Sequence, residues 1–192
     1  MITLYPYENS IQYKEKEEIK EINFSKKAMQ YGKIKNIPIF ENELKKEAQK
    51  RKWVTLFQTK KVHLILPNDY NEKEKEVFLV ILENIGLRHI RCSKMNQYLE
   101  FKKNKIFLEV HKTYLIKTYY TKKKIVSEFF PYYLCSDAQS TIQHILNQHS
   151  IKHRYYLFGS NQNIPNMVKK LNNPNILYYQ NCKNYILSVS SP

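Results

Sequence analysis

Glycine is scarce in this chain, which has only Gly32, Gly86 and Gly159 among its 192 residues. A loop that cradles phosphate groups needs glycine, because side chains keep the backbone amides from approaching the ligand closely. The scarcity therefore argues against glycine-rich phosphate loops. It bears on function more directly than the overall charge does.

Cysteine is also rare. Cys92, Cys135 and Cys182 are odd in number, lie far apart and have no CxxC spacing, which argues against a disulfide framework or a zinc site. We interpret all three as buried, reduced thiols. His149 and His153 are four residues apart, but Ser150 and a following strand should interrupt any helix between them, and we predict no metal site.

Long apolar runs are missing as well. No segment approaches the roughly 20 apolar residues of a membrane span. The first residues, ITLYPYENS, lack the basic-then-apolar order of a signal peptide. We therefore expect a cytoplasmic protein, with a peripheral position at a membrane surface as the variant that its charge allows.

Positive charge is abundant, with 32 Lys and Arg against 17 Asp and Glu and a net charge of +15. Such a chain attracts polyanions, including nucleic acid and anionic lipid headgroups. The lysines are spread along the sequence, and the densest run is Lys122, Lys123 and Lys124, which we predict to form a hairpin turn and an anion-binding surface. Adjacent aromatic pairs could stack on single-stranded bases. Sheet faces packed under helices explain the same pairs, and we favour that explanation.

The stretch from 62 to 92 predicts a β-α-β crossover. Residues 62–66 are apolar and end at Pro67, which is typical of a central strand. Asn71 fits a helix N-cap, and Glu72 and Glu74 suit the positive end of the helix dipole. Apolar residues then recur at helical spacing until Gly86, which fits a left-handed helix end. A crossover of this kind predicts a sheet with helices packed on it.

The two halves of the chain show the same predicted order of elements. In the first half we predict strands at 2–4, 10–14 and 19–24, a loop or short hairpin at 32–38, and a charged surface helix at 41–53 before the crossover. In the second half we predict strands at 106–110, 114–120, 124–129, 153–158 and 176–179, and helices at 138–148, capped by Ser136 or Asp137, and at 164–171. The repetition predicts two subdomains, 1–97 and 98–192.

This order, present twice, resembles the actin-like ATPase superfamily and within it the bacterial actin MreB. The segment LPNDYNEKEKEVFLVILENIGL is similar to an MreB strand and helix, with Pro67, Glu72, Glu74, Lys75 and Gly86 in corresponding places. KIFLEVHKTYLIKTYYTKKKIVSEFF resembles the strand, phosphate loop and hairpin that open the second half of that family. YYLFGSNQNIPNMVKKL resembles its adenosine motif, and NPNILYYQNCKNYIL its last strand and helix. The resemblance implies an α/β, ribonuclease H-like fold of duplicated βββαβα subdomains.

The places where the resemblance fails concern the nucleotide loops. The first loop of the family, Asp-x-Gly, falls near Leu4 and Pro6, so the carboxylate is missing and proline removes an amide. The residues then implied for degenerate nucleotide binding are Glu8, Asn9 and Ser10 in the first loop, Glu109, Lys112 and Thr113 in the second, and Gly159, Ser160 and Asn161 in the adenosine motif. We infer that ATP hydrolysis is lost, and that ATP with magnesium would be a cofactor only if these loops still bind it.

The space between 148 and 153 is too short for the extra small subdomain that the second half of MreB carries. We therefore expect a core without the extra small subdomains, and we doubt filament formation of the familiar kind, although an oligomer is possible. No Ser-His-Asp or Cys-His pattern supports nucleophilic catalysis. The sequence predicts a non-catalytic scaffold or adaptor that binds another protein in a cytoskeletal or membrane-associated assembly. The alternatives are a nucleic-acid-binding protein with a Lys- and Tyr-rich surface and an ATP-binding protein with unusual loops.

Overall fold

The computed structural model describes residues 1–16, 18–56, 58–98, 104–121, 124–132, 135–148, 153–159 and 164–178. The chain divides into two compact units, Met1–Gln97 and Tyr98–Ser191. Each unit has a five-stranded sheet and its own hydrophobic core. None of the described helices is both long enough and apolar enough to cross a membrane.

The described residues of unit 1 form seven strands and two α-helices, and a short 3-10 helix follows at Met95–Tyr98. Its sheet has the order β3-β2-β1-β6-β7, in which the first three strands are antiparallel and β6 and β7 run parallel to β1. The elements are β1 (Ile2–Tyr7), β2 (Ser10–Glu15), β3 (Glu18–Asn23), β4 (Met29–Gln30), β5 (Lys33–Ile34), α1 (Ile37–Lys50), β6 (Lys61–Leu66), α2 (Glu72–Asn84) and β7 (Arg88–Lys94).

The predicted crossover is confirmed in β6, α2 and β7. The Asn71 side chain accepts a hydrogen bond from the Glu74 amide at 2.9 Å, and the Glu74 carboxylate accepts one from the Asn71 amide at 2.8 Å, which forms a complete capping box. Gly86 has a φ of +97°, and a Cβ there would lie 3.1 Å from Cγ1 of Val54. Glycine is needed at this helix end for both reasons.

The predicted bounds of α1 were wrong. The helix begins at Ile37, four residues earlier than expected, because the Asn36 side chain caps it by accepting a hydrogen bond from the Ile39 amide at 3.1 Å. Pro38 lies in the first turn, where its missing N–H costs nothing. The helix ends at Lys50, so Trp53 follows it and is fully buried in the core. Phe40, which precedes the predicted start, is a further buried anchor.

Unit 2 repeats the topology with the order β10-β9-β8-β11-β12. Here β8 and β9 form an antiparallel hairpin, β10 pairs antiparallel with β9, and β11 runs parallel to both β8 and β12. The strands are β8 (Lys105–Val110), β9 (Tyr114–Tyr120), β10 (Ile125–Pro131), β11 (Arg154–Gly159) and β12 (Ile176–Tyr178), and the helices are α3 (Cys135–Gln148) and α4 (Ile164–Leu171).

Most predicted elements of unit 2 are confirmed, with two qualifications. Helix α3 begins at Cys135, so the predicted caps Ser136 and Asp137 lie inside its first turn. The last helix implied by the resemblance falls at 179–192, outside the described residues. The predicted equivalence of the strands at 62–66 and 154–158 is confirmed, since β6 and β11 both occupy the fourth position of their sheets.

Left-handed backbone occurs at several residues that are not glycine. A positive φ is found at Glu8, Lys16, Tyr31, Lys52, His89 and Asn172, with values between 41° and 56°. In the β4–β5 hairpin, Gln30 pairs with Lys33, and the two residues of the turn, Tyr31 and Gly32, have φ values of 55° and 72°. Two consecutive positive φ angles are characteristic of a type I′ turn.

Candidate functional site

The first predicted phosphate loop is a tight hairpin turn. Strand β1 continues to Tyr7 and β2 begins at Ser10, so only Glu8 and Asn9 connect the paired strands. The Ser10 hydroxyl donates a hydrogen bond to the Tyr7 carbonyl at 2.8 Å. Pro6 lies beyond Leu4, the last residue of β1 that pairs with β6. The lack of an N–H at Pro6 therefore removes no hydrogen bond between β1 and β6. A regular strand and a turn of two residues therefore occupy the place of the loop.

Backbone contacts from the rest of unit 1 cover this turn. The Asn9 carbonyl accepts a hydrogen bond from the Phe24 amide at 2.8 Å, and the Asn9 side-chain amide donates one to the Phe24 carbonyl at 3.0 Å. The Glu8 carbonyl accepts one from the Gly32 amide at 2.6 Å. Polar groups of Glu8, Asn9 and Ser10 thus hold the hairpin together.

An ion cluster that the sequence did not predict lies at the end of β6. The Lys33 ammonium is 3.2 Å from the Asp69 carboxylate and 3.0 Å from the Glu74 carboxylate, and it lies 5.6 Å from the centre of the Tyr70 ring. Burial by itself would lower the pKa of Lys33, but the two carboxylates outweigh it and the pKa is raised. The Tyr70 hydroxyl donates to the Gly32 carbonyl, and burial followed by the same carboxylates raises its pKa well above the usual value. The cluster fastens the β4–β5 hairpin to the β6–α2 connection.

The second predicted phosphate loop is closed by its own side chains. The Glu109 carboxylate lies 2.8 Å from Nε2 of His111, and both side chains are almost completely buried. The His111 ring stacks on Tyr114, with ring centroids 4.0 Å apart and planes inclined by 10°. Residues two apart on an extended chain share a face, which is why Glu109 and His111 meet. A carboxylate, an imidazole and a phenol ring therefore fill the place where a phosphate loop has glycine.

The rest of this turn is held by backbone hydrogen bonds. The His111 amide donates to the Tyr114 carbonyl at 2.8 Å, and the Tyr132 amide donates to the Thr113 carbonyl at 2.9 Å. The Tyr132 hydroxyl donates to the His111 carbonyl. Of the predicted residues, Lys112 is exposed, Thr113 is half-buried and Glu109 is buried, so the turn does not present them together on one surface.

The remaining predicted site residues are only partly described. Gly159 is the last residue of β11 and pairs with Val110, the last residue of β8. Ser160, Asn161, Lys122 and Lys123 lie outside the described residues. Lys124 is exposed just before β10, where its carbonyl accepts a hydrogen bond from the Thr121 amide at 2.8 Å.

The sequence also did not predict a buried lysine on β9, the middle strand of the β8–β10 meander. Lys117 is 4% exposed, and its ammonium lies 2.9 Å from the Glu128 carboxylate on β10. The Tyr119 hydroxyl donates to the other oxygen of that carboxylate at 2.7 Å, which raises the pKa of Tyr119. Lys117 and Glu128 are directly opposite each other in the hairpin register. Pairing the two predicted strands across their turn would have placed these opposite charges together.

These arrangements do not fit the backbone cradle that a magnesium nucleotide requires. Both loops are tight turns, and the one acidic residue at the second loop is engaged with His111. Among the described residues, no three His, Cys, Asp or Glu side chains come together in a way that could hold a metal ion.

No protein-family model and no curated protein matches this chain. Solved structures do. The chain is similar to MreB5 of Spiroplasma citri bound to ADP, at 9% identity and a TM-score of 0.66, over 99% of this chain and 95% of that one. It is similar to AlfA from a B. subtilis plasmid, a filament structure, at 11% identity and a TM-score of 0.58, over 93% and 91%. EutJ from Carboxydothermus hydrogenoformans aligns at 8% identity and a TM-score of 0.57, over 97% and 81%. At these identities the likeness establishes a common fold.

Proposed function

We propose that this chain, whose fold is actin-like, is a non-catalytic scaffold or adaptor that binds another protein in a cytoskeletal or membrane-associated assembly. The observation that carries the proposal is the closure of both phosphate loops, one by the turn at Glu8 and Asn9 and the other by the buried pair of Glu109 and His111.

The closed loops argue against nucleotide chemistry for a physical reason. A triphosphate is bound by several backbone amides that approach it together, with a metal held by carboxylates nearby. Around the first turn, the amides of Gly32 and Phe24 are already donated to the carbonyls of Glu8 and Asn9. In the second turn, moving Glu109 or His111 aside would expose a buried carboxylate and imidazole and break their contact.

The charge of the chain supports a binding role for its surface. A net charge of +15 attracts acidic proteins and anionic membrane surfaces at long range. MreB5 was solved with ADP bound and AlfA was solved as a filament. The proposal includes neither ADP binding nor filament formation for this chain. It uses only the shared fold, which would carry the binding surface. A cytoplasmic location, peripheral to the membrane, completes the proposal.

The experiment is a nucleotide-binding assay with a matched variant. A ligand that binds only the folded chain at about 100 times its dissociation constant stabilises it by about 2.7 kcal/mol, so thermal melts with millimolar MgATP and MgADP detect even weak binding. We expect unchanged melting temperatures and no release of phosphate. Nucleotide binding that is weakened by Glu109→Gln would overturn the proposal and favour the ATP-binding alternative. Activity that is unaffected by Glu109→Gln would point to a contaminating ATPase.

A second assay separates a protein partner from nucleic acid. Binding to DNA or RNA through lysines weakens steeply as salt rises, so retention on a nucleic-acid column should be compared at low and moderate salt. We expect weak retention that salt abolishes, and recovery of a specific protein partner from native cells at moderate salt. Tight nucleic-acid binding that persists at moderate salt, without a protein partner, would replace the proposal.

A further inference from the structure

The first residues of strands β6 and β7 include a group of exposed cations. Lys61 begins β6, Arg88 and Arg91 lie on β7, and all three side chains are exposed. Lys60, the residue before β6, is engaged by the Glu15 carboxylate. Within the part of the chain that the structure describes, Lys61, Arg88 and Arg91 have no acidic partner. Three cations without counter-charges therefore lie on two neighbouring strands.

A β-bulge at His89 brings two of these cations together. Lys61 pairs with Arg88 and Val62 pairs with Ile90, so His89 is the extra residue of β7. His89 has a φ of +54°, in the left-handed region that residues with a side chain rarely adopt. In a regular ladder His89 would be the partner of Lys61. The bulge therefore places Arg88 beside Lys61 in its stead.

This arrangement costs stability in the isolated chain. Like charges on directly paired residues repel each other, and a left-handed residue other than glycine strains the backbone. The third cation adds to the repulsion, because Arg91 pairs with His63, which lies on the same side of β6 as Lys61. Backbone strain of this kind is concentrated at binding sites, where the surrounding structure maintains it. An anionic ligand would offset the repulsion among the three cations.

The turn that precedes β6 exposes a leucine. The Thr55 hydroxyl donates a hydrogen bond to the Gln58 carbonyl at 3.0 Å and accepts one from the Gln58 amide at 3.1 Å. The Thr55 amide also donates to the Gln58 carbonyl, at 2.9 Å. Leu56 lies within this turn and is 96% exposed. An ordered turn thus holds an apolar side chain in water.

The same turn lies next to the cations. The Thr59 hydroxyl donates to the Gly86 carbonyl at 3.3 Å, and two residues further along both segments Lys61 pairs with Arg88. The segment before β6 therefore continues alongside the segment before β7. Leu56 is three residues from Thr59, which limits their separation to about 10 Å. The exposed leucine and the unpaired cations form one continuous surface.

We propose that this β6–β7 surface, formed by Leu56, Lys61, Arg88 and Arg91, binds an acidic segment of a partner protein with an apolar side chain among its acids. The cations receive the carboxylates, and Leu56 packs against the apolar side chain. The proposal rests on the function proposed above, because it requires a protein partner.

The chemistry of the surface favours a polypeptide over the other polyanions. Most contacts to nucleic acid are made to phosphate and sugar oxygens, which offer nothing apolar to Leu56. A bilayer would gain little from one leucine, since even a whole myristoyl chain gives only marginal membrane binding. A protein segment supplies both carboxylates and an apolar side chain, and apolar contacts surrounded by polar ones are typical of protein interfaces.

Fluorescence anisotropy with two labelled peptides tests the proposal on the full chain. One peptide has six Asp and Glu residues around a central leucine, and the other has serine in place of that leucine. We expect both to bind at low salt and to weaken as salt rises. Lys61→Gln, Arg88→Gln and Arg91→Gln should each weaken both peptides about two- to fivefold. Leu56→Ser should weaken the leucine peptide about fivefold and leave the serine peptide unchanged.

Matched control variants lie elsewhere on unit 1. Lys45→Gln and Lys46→Gln each remove an exposed cation from α1, and Val80→Ser removes a side chain that is 53% exposed on α2. These variants should have little effect on either peptide. If they weakened binding as much as Arg88→Gln, attraction to the overall charge of +15 would explain the binding and the proposal would be wrong. Equal effects of Leu56→Ser on both peptides would refute the apolar contact.

The same variants separate the other ligands. Vesicles that contain phosphatidylglycerol and a duplex DNA are tested beside the peptides. Tighter binding of either one, weakened by Arg88→Gln and Leu56→Ser, would assign the surface to a membrane or to nucleic acid and overturn the proposal. Peptides that fail to bind, or whose binding no surface variant weakens, would also overturn it and leave the proposed function intact. The proposed function would fail separately, through nucleotide binding that depends on Glu109.

Discussion

Unit 1 and unit 2 order their strands in the same way but fill their cores differently. The core of unit 1 is rich in aromatic rings, with Trp53 edge-on to Tyr13 at 5.0 Å and Phe40 edge-on to Phe78 at 5.5 Å. The core of unit 2 relies mainly on aliphatic side chains, among them Ile142, Ile145, Leu108, Leu115 and Leu157. The same topology therefore tolerates two kinds of packing, because the strand order requires alternating apolar residues and not particular ones.

The turns at the two predicted phosphate loops are also held by different contacts. Unit 1 closes the turn at Glu8 and Asn9 with backbone bonds from Phe24 and Gly32. Unit 2 closes its turn with the side chains of Glu109, His111 and Tyr114. Turns at equivalent places of the same topology are thus held by different contacts.

The largest expected effect compares equivalent core residues. Leu4 in β1 and Leu108 in β8 lie in the middle strands of their sheets and are fully buried. Leu4→Ala and Leu108→Ala should each lower the free energy of unfolding by about 2–5 kcal/mol. Trp53, the single tryptophan, reports on unit 1. Because the cores are separate, Leu4→Ala should shift the denaturant midpoint of tryptophan fluorescence more than Leu108→Ala does. Equal shifts would mean that both units unfold in one cooperative step.

A smaller effect is expected from the ion pair of unit 2. Glu128→Gln leaves the buried Lys117 ammonium without its counter-charge, which should lower the free energy of unfolding by about 1–3 kcal/mol. The counterpart in unit 1 is the exposed pair of Glu18 and Lys20, where Glu18→Gln should have no measurable effect. Denaturant melts followed by circular dichroism at low protein concentration make the comparison. A similar loss in both variants would show that burial does not distinguish the two pairs.

The helix cap of unit 1 should contribute less. Asn71→Ala removes the side chain that accepts the Glu74 amide, at a cost of about 1 kcal/mol. Asn71→Asp keeps an accepting oxygen and should preserve most of the stability. The midpoint of tryptophan fluorescence in urea measures both variants. If Asn71→Asp lost as much as Asn71→Ala, the capping interaction would not be the cause.

The smallest effect is the alkaline response of the Lys33 cluster. The pKa of Lys33 is raised in the folded chain, so its contribution to stability is fully present below the unfolded value of about 10.4 and is lost as pH rises through the folded value. The difference in stability between the wild type and Lys33→Met should therefore shrink above that pH. Lys35→Met, at an exposed neighbouring position, is the control. A difference that stays constant with pH would exclude the ion cluster as its source.

The sequence correctly predicted the strands and helices whose signals lie within one short segment of the chain. Strand β9, helix α4 and the capped helix α2 follow from alternation, periodicity and the Asn71 cap. It placed α1 wrongly because Pro38 was assigned to a loop, although proline is also common in the first turn of a helix. Such errors concern boundaries, where the local signals of two elements compete.

The candidate site was harder to predict, since its contacts join distant parts of the chain. Lys33 meets Asp69 and Glu74, which lie 36 and 41 positions away, and nothing in the local pattern of any of them indicates the cluster. Glu109 was identified through the resemblance, but its partner His111 was not, although a spacing of two on a strand would have suggested it.

The turn at Tyr31 and Gly32 has a consequence for protein engineering. A type I′ turn is best made by Asn-Gly, and this chain places a tyrosine in the first left-handed position. The same holds for Glu8, Lys16, Lys52 and His89, so the scarcity of glycine does not reflect a lack of left-handed backbone. Each such residue costs roughly 1 kcal/mol or more. Asparagine or glycine at these positions should therefore relieve the backbone strain and raise the free energy of unfolding, offset by any contact that the present side chain makes.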